Sequence, residues 1–279
     1  MTSYALITAI EGDKDNLNNQ LGIKTVKHRK FESEAIECFS MWRKNAGWLK
    51  DITIYAYCPT RNTITDDTKD KLKELGVTYI EKYQPITETF TTGFINVPLV
   101  GSILEDEAPE DVFIKIDLDM NIIKPLPEEL VNSVATNDSV ICGQYDDYCT
   151  AQQRSTSQHW GNPFDTGFTI SRRESKFYTF FYDQVMKTMV SDDPIWAKVK
   201  ADSGEYFLEE YVMDKIHNEG AWSVIPIQRY QIGEWYTPVS EFTDEELDQV
   251  YFWHEHLDHD PAYDKVREKI EYFKRIRNK

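Results

Sequence analysis

Two carboxylates one residue apart end a mostly apolar run, Val112-Phe113-Ile114-Lys115-Ile116-Asp117-Leu118-Asp119-Met120. Side chains alternate faces along an extended strand, so Asp117 and Asp119 are expected to project the same way as the strand leaves the core. Converging carboxylates repel unless a cation or a set of donors neutralises them. Hard oxygen ligands on such a pair suit Mg²⁺ or Mn²⁺ carrying a substrate diphosphate. The plainer alternative is a solvated strand end in a turn, where Asp is common. Against it, Asn121-Ile122-Ile123-Lys124-Pro125-Leu126 resumes an apolar path at once. A second acidic group, Glu205, Glu209 and Glu210, falls early in a helix expected over 204–217, where acids also suit the helix dipole.

The segments that must position these groups alternate between strand and helix character. Residues 4–10 are a short apolar run of strand type, closed by the polar turn cluster Glu11-Gly12-Asp13-Lys14-Asp15-Asn16. Apolar side chains at Phe31, Ala35, Cys38, Phe39, Trp42 and Ala46 recur at three and four, which predicts a helix ending near Gly47. A strand follows over 52–58, then a helix capped by Thr65 and stopped at Gly76, then a strand over 77–80. Beyond a Thr-rich link after Pro85 the spacing predicts a helix over 93–104 bent before Pro98, then an acidic loop over 105–111. Further strands are expected over 139–143, 164–171, 223–227 and 250–256. Further helices are expected over 128–133 and 177–189, a capped turn over 243–247, and a charged C-terminal helix over 261–277. The polar stretch 144–163, with Tyr145, Tyr148, His159 and Trp160, is longer than most connections and reads as a binding loop, and 231–236 as an aromatic loop. This is the pattern of a single α/β, Rossmann-like domain: a mixed, mostly parallel central sheet with helices on both faces. In such sheets the binding crevice lies outside the carboxyl ends of the strands, where Asp117, Asp119 and the loop after Ile10 are placed.

Composition narrows the partners. Lys and Arg number 31 against 48 Asp and Glu, a net charge of −17, with no basic block before the last few residues. Nucleic acid and anionic membrane faces are therefore poor partners, whereas a nucleotide remains possible if a metal supplies positive charge. The chain holds 7 Trp, 16 Tyr and 14 Phe, which serve core packing and also suit a ring-binding cleft. Cys38, Cys58, Cys142 and Cys149 show no CxxC spacing and read as free thiols in a reducing compartment. The N-terminal residues lack the features of a signal peptide, and no run approaches the roughly 18 apolar residues of a membrane span. A cytoplasmic protein without an integral membrane segment is expected.

Four pieces in order resemble glycosyltransferases of the GT-A fold: the N-terminal strand and loop, Ile116-Asp117-Leu118-Asp119-Met120 as the Asp-x-Asp motif, Phe164-Asp165-Thr166-Gly167-Phe168 as the Asn/Asp-x-Gly strand, and a late histidine near His254. The resemblance spans most of the chain. It implies one domain over 1–279, with a nucleotide-binding half over 1–119, an acceptor-binding half over 120–260 and a C-terminal helix over 261–279. It further implies transfer of a sugar from a UDP- or GDP-sugar donor to the hydroxyl of a carbohydrate acceptor, on a glycan, with Mn²⁺ (or Mg²⁺) bridging the diphosphate. By that likeness Asp119 would ligate the metal and Asp117 would contact the donor ribose or a metal-bound water. His254 is the favoured further ligand, with His256 on the same face second and His259 close by. Thr8 and Ala9 would hold the nucleobase, Asp13 the polar rim, and Asp165 and Gly167 the donor sugar. Glu209 and Glu210 are the candidate catalytic bases for an inverting reaction, with Asp202 a further one; a retaining enzyme would use these acids on the acceptor.

Other readings of the same residues are a carbohydrate-binding protein of this fold without turnover and a haloacid dehalogenase-type phosphatase. The phosphatase motif normally lies near the N-terminus and continues with Thr or Val, whereas Asn121 follows Met120 here and more than a hundred residues precede Asp117. Nucleotidyltransferases usually open with a glycine-rich basic loop, which is absent after Ile10.

Overall fold

A computed structural model of the chain describes residues 2–13, 30–89, 95–145, 164–205, 207–233, 242–254, 270, 271 and 275. The first half runs β1 (Tyr4–Ala9), α1 (Phe31–Asn45), β2 (Thr53–Cys58), α2 (Asp66–Glu74), β3 (Val77–Glu81), α3 (Ile86–Thr89), α4 (Asn96–Glu107) and β4 (Val112–Ile116). It continues with β5 (Met120–Ile122), α5 (Glu128–Asn132), β6 (Val140–Gln144), β7 (Phe164–Arg172), α6 (Phe177–Met189), α7 (Pro194–Ser203) and α8 (Leu208–Asn218). The last elements are β8 (Val224–Ile227), β9 (Gln231–Ile232), α9 (Asp244–Leu247) and β10 (Phe252–His254).

Seven strands form the central sheet in the order β3-β2-β1-β4-β7-β6-β8. Its pairs are parallel except those of β7, which runs antiparallel to β4 and β6. This is the expected α/β fold with a mixed, mostly parallel sheet. The period-two alternation divides the core between two faces. Leu6, Ile54, Ile114 and Ile116 pack with Phe39 and Trp42 of α1 and Leu72 of α2. Ala5, Ile7 and Phe113 pack with Leu104 of α4, Phe181 of α6 and Val212 of α8. Each such aliphatic or aromatic side chain contributes about 1.5–3 kcal/mol on burial, which fixes the register of the strands that carry the acids.

Buried acids tie the helices down. Glu32 of α1 accepts from the Thr65 amide at 3.0 Å and the Thr68 hydroxyl at 2.6 Å, holding the start of α2. Glu105 of α4 accepts from the Tyr178 and Thr179 amides at 2.7 and 2.9 Å, so one helix caps the N-terminus of another.

Several segments differ from the sequence-based expectation. Strand β4 stops at Ile116, and residues 117–119 form a turn instead of continuing the strand. Pro98 lies in the first turn of α4, where its missing N–H leaves no hydrogen bond unmade, so no bend is required. Glu105, Asp106 and Glu107 belong to α4 and not to an acidic loop. The Thr-rich link contains the short helix α3, and α7, with Asp193 as its N-cap, arises where no helix is expected. Helix α8 begins at Leu208, so Glu205 lies ahead of it, paired with Lys200 at 2.8 Å. Residues 146–163 of the long loop, Cys149, Tyr236, His256, His259 and most of the expected C-terminal helix fall outside the described residues. Cys38, Cys58 and Cys142 are buried free thiols. Among the described residues no helix is long and apolar enough to cross a membrane.

Candidate metal centre

Asp117 leaves β4 with its amide bonded to the Gly167 carbonyl at 2.9 Å, and its own carbonyl accepts from the Met120 amide at 3.0 Å. That closure over four residues is a β-turn, and it carries the chain out of the central sheet into β5. The two acids therefore meet across a turn, not by strand alternation. Strand β5 belongs to a second sheet of order β5-β10-β9, in which His254 lies opposite Met120. This small sheet brings a residue more than a hundred positions away against the acidic turn.

Ligand atoms of Asp117, Asp119 and His254 all lie within 4.8 Å of one another. Asp119 and His254 are 1% and 5% exposed, with Nε2 of the imidazole 3.3 Å from Oδ1 of Asp119. Burial pushes the His254 imidazole down, but the Asp119 carboxylate, with Asp165 and Asp117, outweighs it and leaves the group above its ordinary value. Two carboxylates and an imidazole are a donor set that fits a first-row divalent ion such as Mn²⁺, and carboxylates alone would suit Mg²⁺. The space beside them is kept by Gly167: a Cβ there would stand 2.8 Å from Asp165 Oδ1 and 3.1 Å from Asp117 Oδ2.

The other expected site residues distribute around this centre. Ile7 of β1 pairs with Lys115, so Thr8, buried, and Ala9, half-buried, run level with the end of β4 at the same sheet edge. Asp13, on the following loop, accepts from the Glu32 amide at 3.1 Å and so ties that loop to the start of α1. Asp165 and Gly167 lie at the start of β7, beside the end of β4 because the two strands are antiparallel. Asp165 is 2% exposed and accepts from the Gly167 amide and the Tyr230 hydroxyl, both at 2.9 Å, and from the Gln231 side-chain amide. Glu209 and Glu210 sit in the first turn of α8. Glu209 is buried and accepts from the Thr166 hydroxyl at 3.3 Å, while Glu210 is partly exposed. Asp202 falls in α7.

Sequence reasoning gave no role to Lys115, Tyr230 and Gln231. Lys115 is buried in β4 and donates to Asp117 Oδ1 at 2.7 Å and to the Thr166 carbonyl at 2.6 Å. Burial pushes its ammonium down, but Asp117 and Glu209 outweigh that and hold it above its ordinary value. A lysine inside an apolar strand run, two residues before an aspartate, was a legible signal for this pair.

Glu209 supplies a test of this electrostatic arrangement. Burial lifts its carboxyl from 4.5 to about 7, with Lys115 opposing and Asp117 adding to the shift. Above the unfolded value and below the folded one, the folded chain holds a proton that the unfolded chain has released. The stability tied to this group is therefore full below pH 4.5 and lost as pH rises through about 7. Glu210 is also pushed up by burial and by Glu209, and Asp214 is lifted by burial to about 6, so wild type alone does not isolate Glu209. Urea unfolding at the two ends of that window should show Glu209→Gln losing less stability than wild type, by up to about 3 kcal/mol. Identical losses would mean that Glu209 ionises normally.

No protein-family model matches the chain, and no curated protein does. The fold and site define an α/β protein with a Rossmann-like sheet and an acidic Asp-x-Asp cluster, Asp117 and Asp119, at the sheet's carboxyl edge.

Proposed function

We propose that the protein is a metal-dependent glycosyltransferase that moves a sugar from a nucleotide-diphosphate sugar to an acceptor hydroxyl. The observation that carries this reading is the convergence of Asp117, Asp119 and His254 at the carboxyl edge of a mostly parallel sheet, the edge at which such folds bind ligands. In this reading Asp119 and His254 would hold a divalent ion, and Asp117, fixed by Lys115, would complete the acidic side. When bound, the ion acts as a Lewis acid that offsets charge growing on the departing diphosphate. The end of β1, with Thr8 and Ala9, lies at the same sheet edge and would flank the nucleoside. Glu209 or Glu210 would accept the acceptor's proton in an inverting reaction; a carboxyl lifted to about 7, as Glu209 is, suits a base near neutral pH.

The test is thermal. Mn²⁺ is expected to raise the melting temperature further when a nucleoside diphosphate is present, because in a shared site the ion and the diphosphate would each bind the folded state more tightly when the other is there. Equal Mn²⁺ shifts with and without nucleotide would remove the shared site. A screen of nucleotide-sugars for Mn²⁺-dependent hydrolysis then identifies the donor. Phosphate release from phosphomonoesters without sugar transfer would replace this reading with a phosphatase.

A further inference from the structure

The Asp165 carboxylate has about four lone-pair positions, and three protein donors already use it: the Gly167 amide on Oδ1, and the Tyr230 hydroxyl and Gln231 side chain on Oδ2. With 2% exposure, little of it is open to a substrate hydroxyl. Its contacts instead lead towards His254. A carboxylate only accepts, so the part of Gln231 that faces it is the amide nitrogen. The Gln231 oxygen therefore faces His254 Nδ1, at 2.8 Å. Two acceptors do not bond, so Nδ1 carries a hydrogen, an assignment that follows from the partners. Nε2, on the opposite side of the ring, faces the Asp119 carboxylate at 3.3 Å, so without a metal it carries a hydrogen too, which a bound cation would displace.

We propose that Asp165 and Gln231 form a positioning relay that fixes the tautomer and ring orientation of His254, making Nε2 the atom offered to a divalent ion, and that Asp165 supports the centre from behind without touching the donor sugar. The relay serves the metal-centre reading above and rests on it. Gln231 is 4% exposed and Tyr230 fully buried, so the chain of contacts is shielded from competing water. Partners behind a ligating histidine set its tautomer and basicity, and changing them typically lowers metal affinity about 10–100-fold.

Asp165→Asn keeps the shape of the side chain and reverses both contacts at the Oδ2 position, the Tyr230 hydroxyl turning from donor to acceptor. The Gly167 amide holds the new oxygen at the Oδ1 position, so the new NH₂ group faces Gln231. Gln231 then turns over and presents its own NH₂ to Nδ1, which leaves the ring hydrogen on Nε2 alone. Mn²⁺ titration followed by electron paramagnetic resonance should show affinity reduced about 10–100-fold. Tyr230→Phe removes a donor to Asp165 without reversing Gln231 and should bind Mn²⁺ nearly as wild type does. In metal-free wild type near neutral pH, ¹⁵N spectra should show hydrogen on both Nδ1 and Nε2 of His254, and in Asp165→Asn on Nε2 alone. Unchanged Mn²⁺ affinity in a folded Asp165→Asn, or a bare Nδ1 in wild type, overturns the relay. Should Asp165→Asn fail to fold, the wild-type spectrum decides alone. Should wild type bind no Mn²⁺, the metal reading fails, and the spectrum still decides whether Asp165 and Gln231 set the tautomer.

Discussion

Replacing Asp119 with asparagine is expected to lower Mn²⁺ affinity more than 100-fold, a loss above about 2.7 kcal/mol, while the chain stays folded. Asparagine keeps the volume of a side chain that is 1% exposed, so the packing around the turn survives. It removes the negative charge and hence the strongest oxygen ligand that the centre can offer from its interior. Changes behind a metal ligand typically cost about 10–100-fold, so the loss of a direct ligand should exceed that range. Asp117→Asn should cost less, because the Asp117 side chain is 37% exposed and already shares its charge with Lys115 at 2.7 Å. Sugar transfer or nucleotide-sugar hydrolysis by Asp119→Asn should fall to background in the same preparation. Mn²⁺ binding equal to wild type, measured on protein with an unchanged circular dichroism spectrum, would remove Asp119 from the centre.

The acidic pair was legible in the sequence because its surroundings are apolar on both sides, but the route by which the two acids meet was not. Alternation in a strand and a four-residue turn both bring residues two apart to one side, and only the amide partners of Asp117 and Met120 distinguish them. The parallel half of the sheet was readable from local signals: short apolar strand runs, Thr65 as a cap, and Gly76 in the left-handed region at φ 67. Helix α7 was not, because its start depends on Asp193 as an N-cap and its amphipathic pattern is weak. The contacts behind His254 were hidden for a different reason. Gln231 sits in a strand of only two residues, too short for any periodicity, and its meaning comes from pairing with β10, which lies further along the chain. Non-local pairing of that kind leaves no spacing to read.

Lys115→Met should destabilise the protein by about 1–3 kcal/mol, the cost of leaving a buried carbonyl without its donor, because the Asp117 end of the ion pair is 37% exposed and screened by water. Methionine fills most of the space of the lysine stem and leaves the strand register intact, so the loss reports the ammonium, its charge and its hydrogen bonds. The Lys115 side chain is 3% exposed, and its ammonium joins Asp117 of β4 to the Thr166 carbonyl of β7. Without it Asp117 and Glu209 are left facing one another with no cation between them, and the carbonyl loses its donor. Because Lys115 lowers the Glu209 carboxyl, the variant should also hold the Glu209 proton to higher pH than wild type. Adding Asp117→Asn to Lys115→Met should recover part of the stability, since the Asp117 charge then no longer faces Glu209 without a cation. Recovery in the double variant, read by urea unfolding, identifies an ion pair; equal loss in single and double variants would assign the effect to packing and the lost carbonyl bond. A Lys115→Met protein within about 1 kcal/mol of wild type would mean that the Thr166 carbonyl does not depend on Lys115, and that Asp117 is held by its backbone alone.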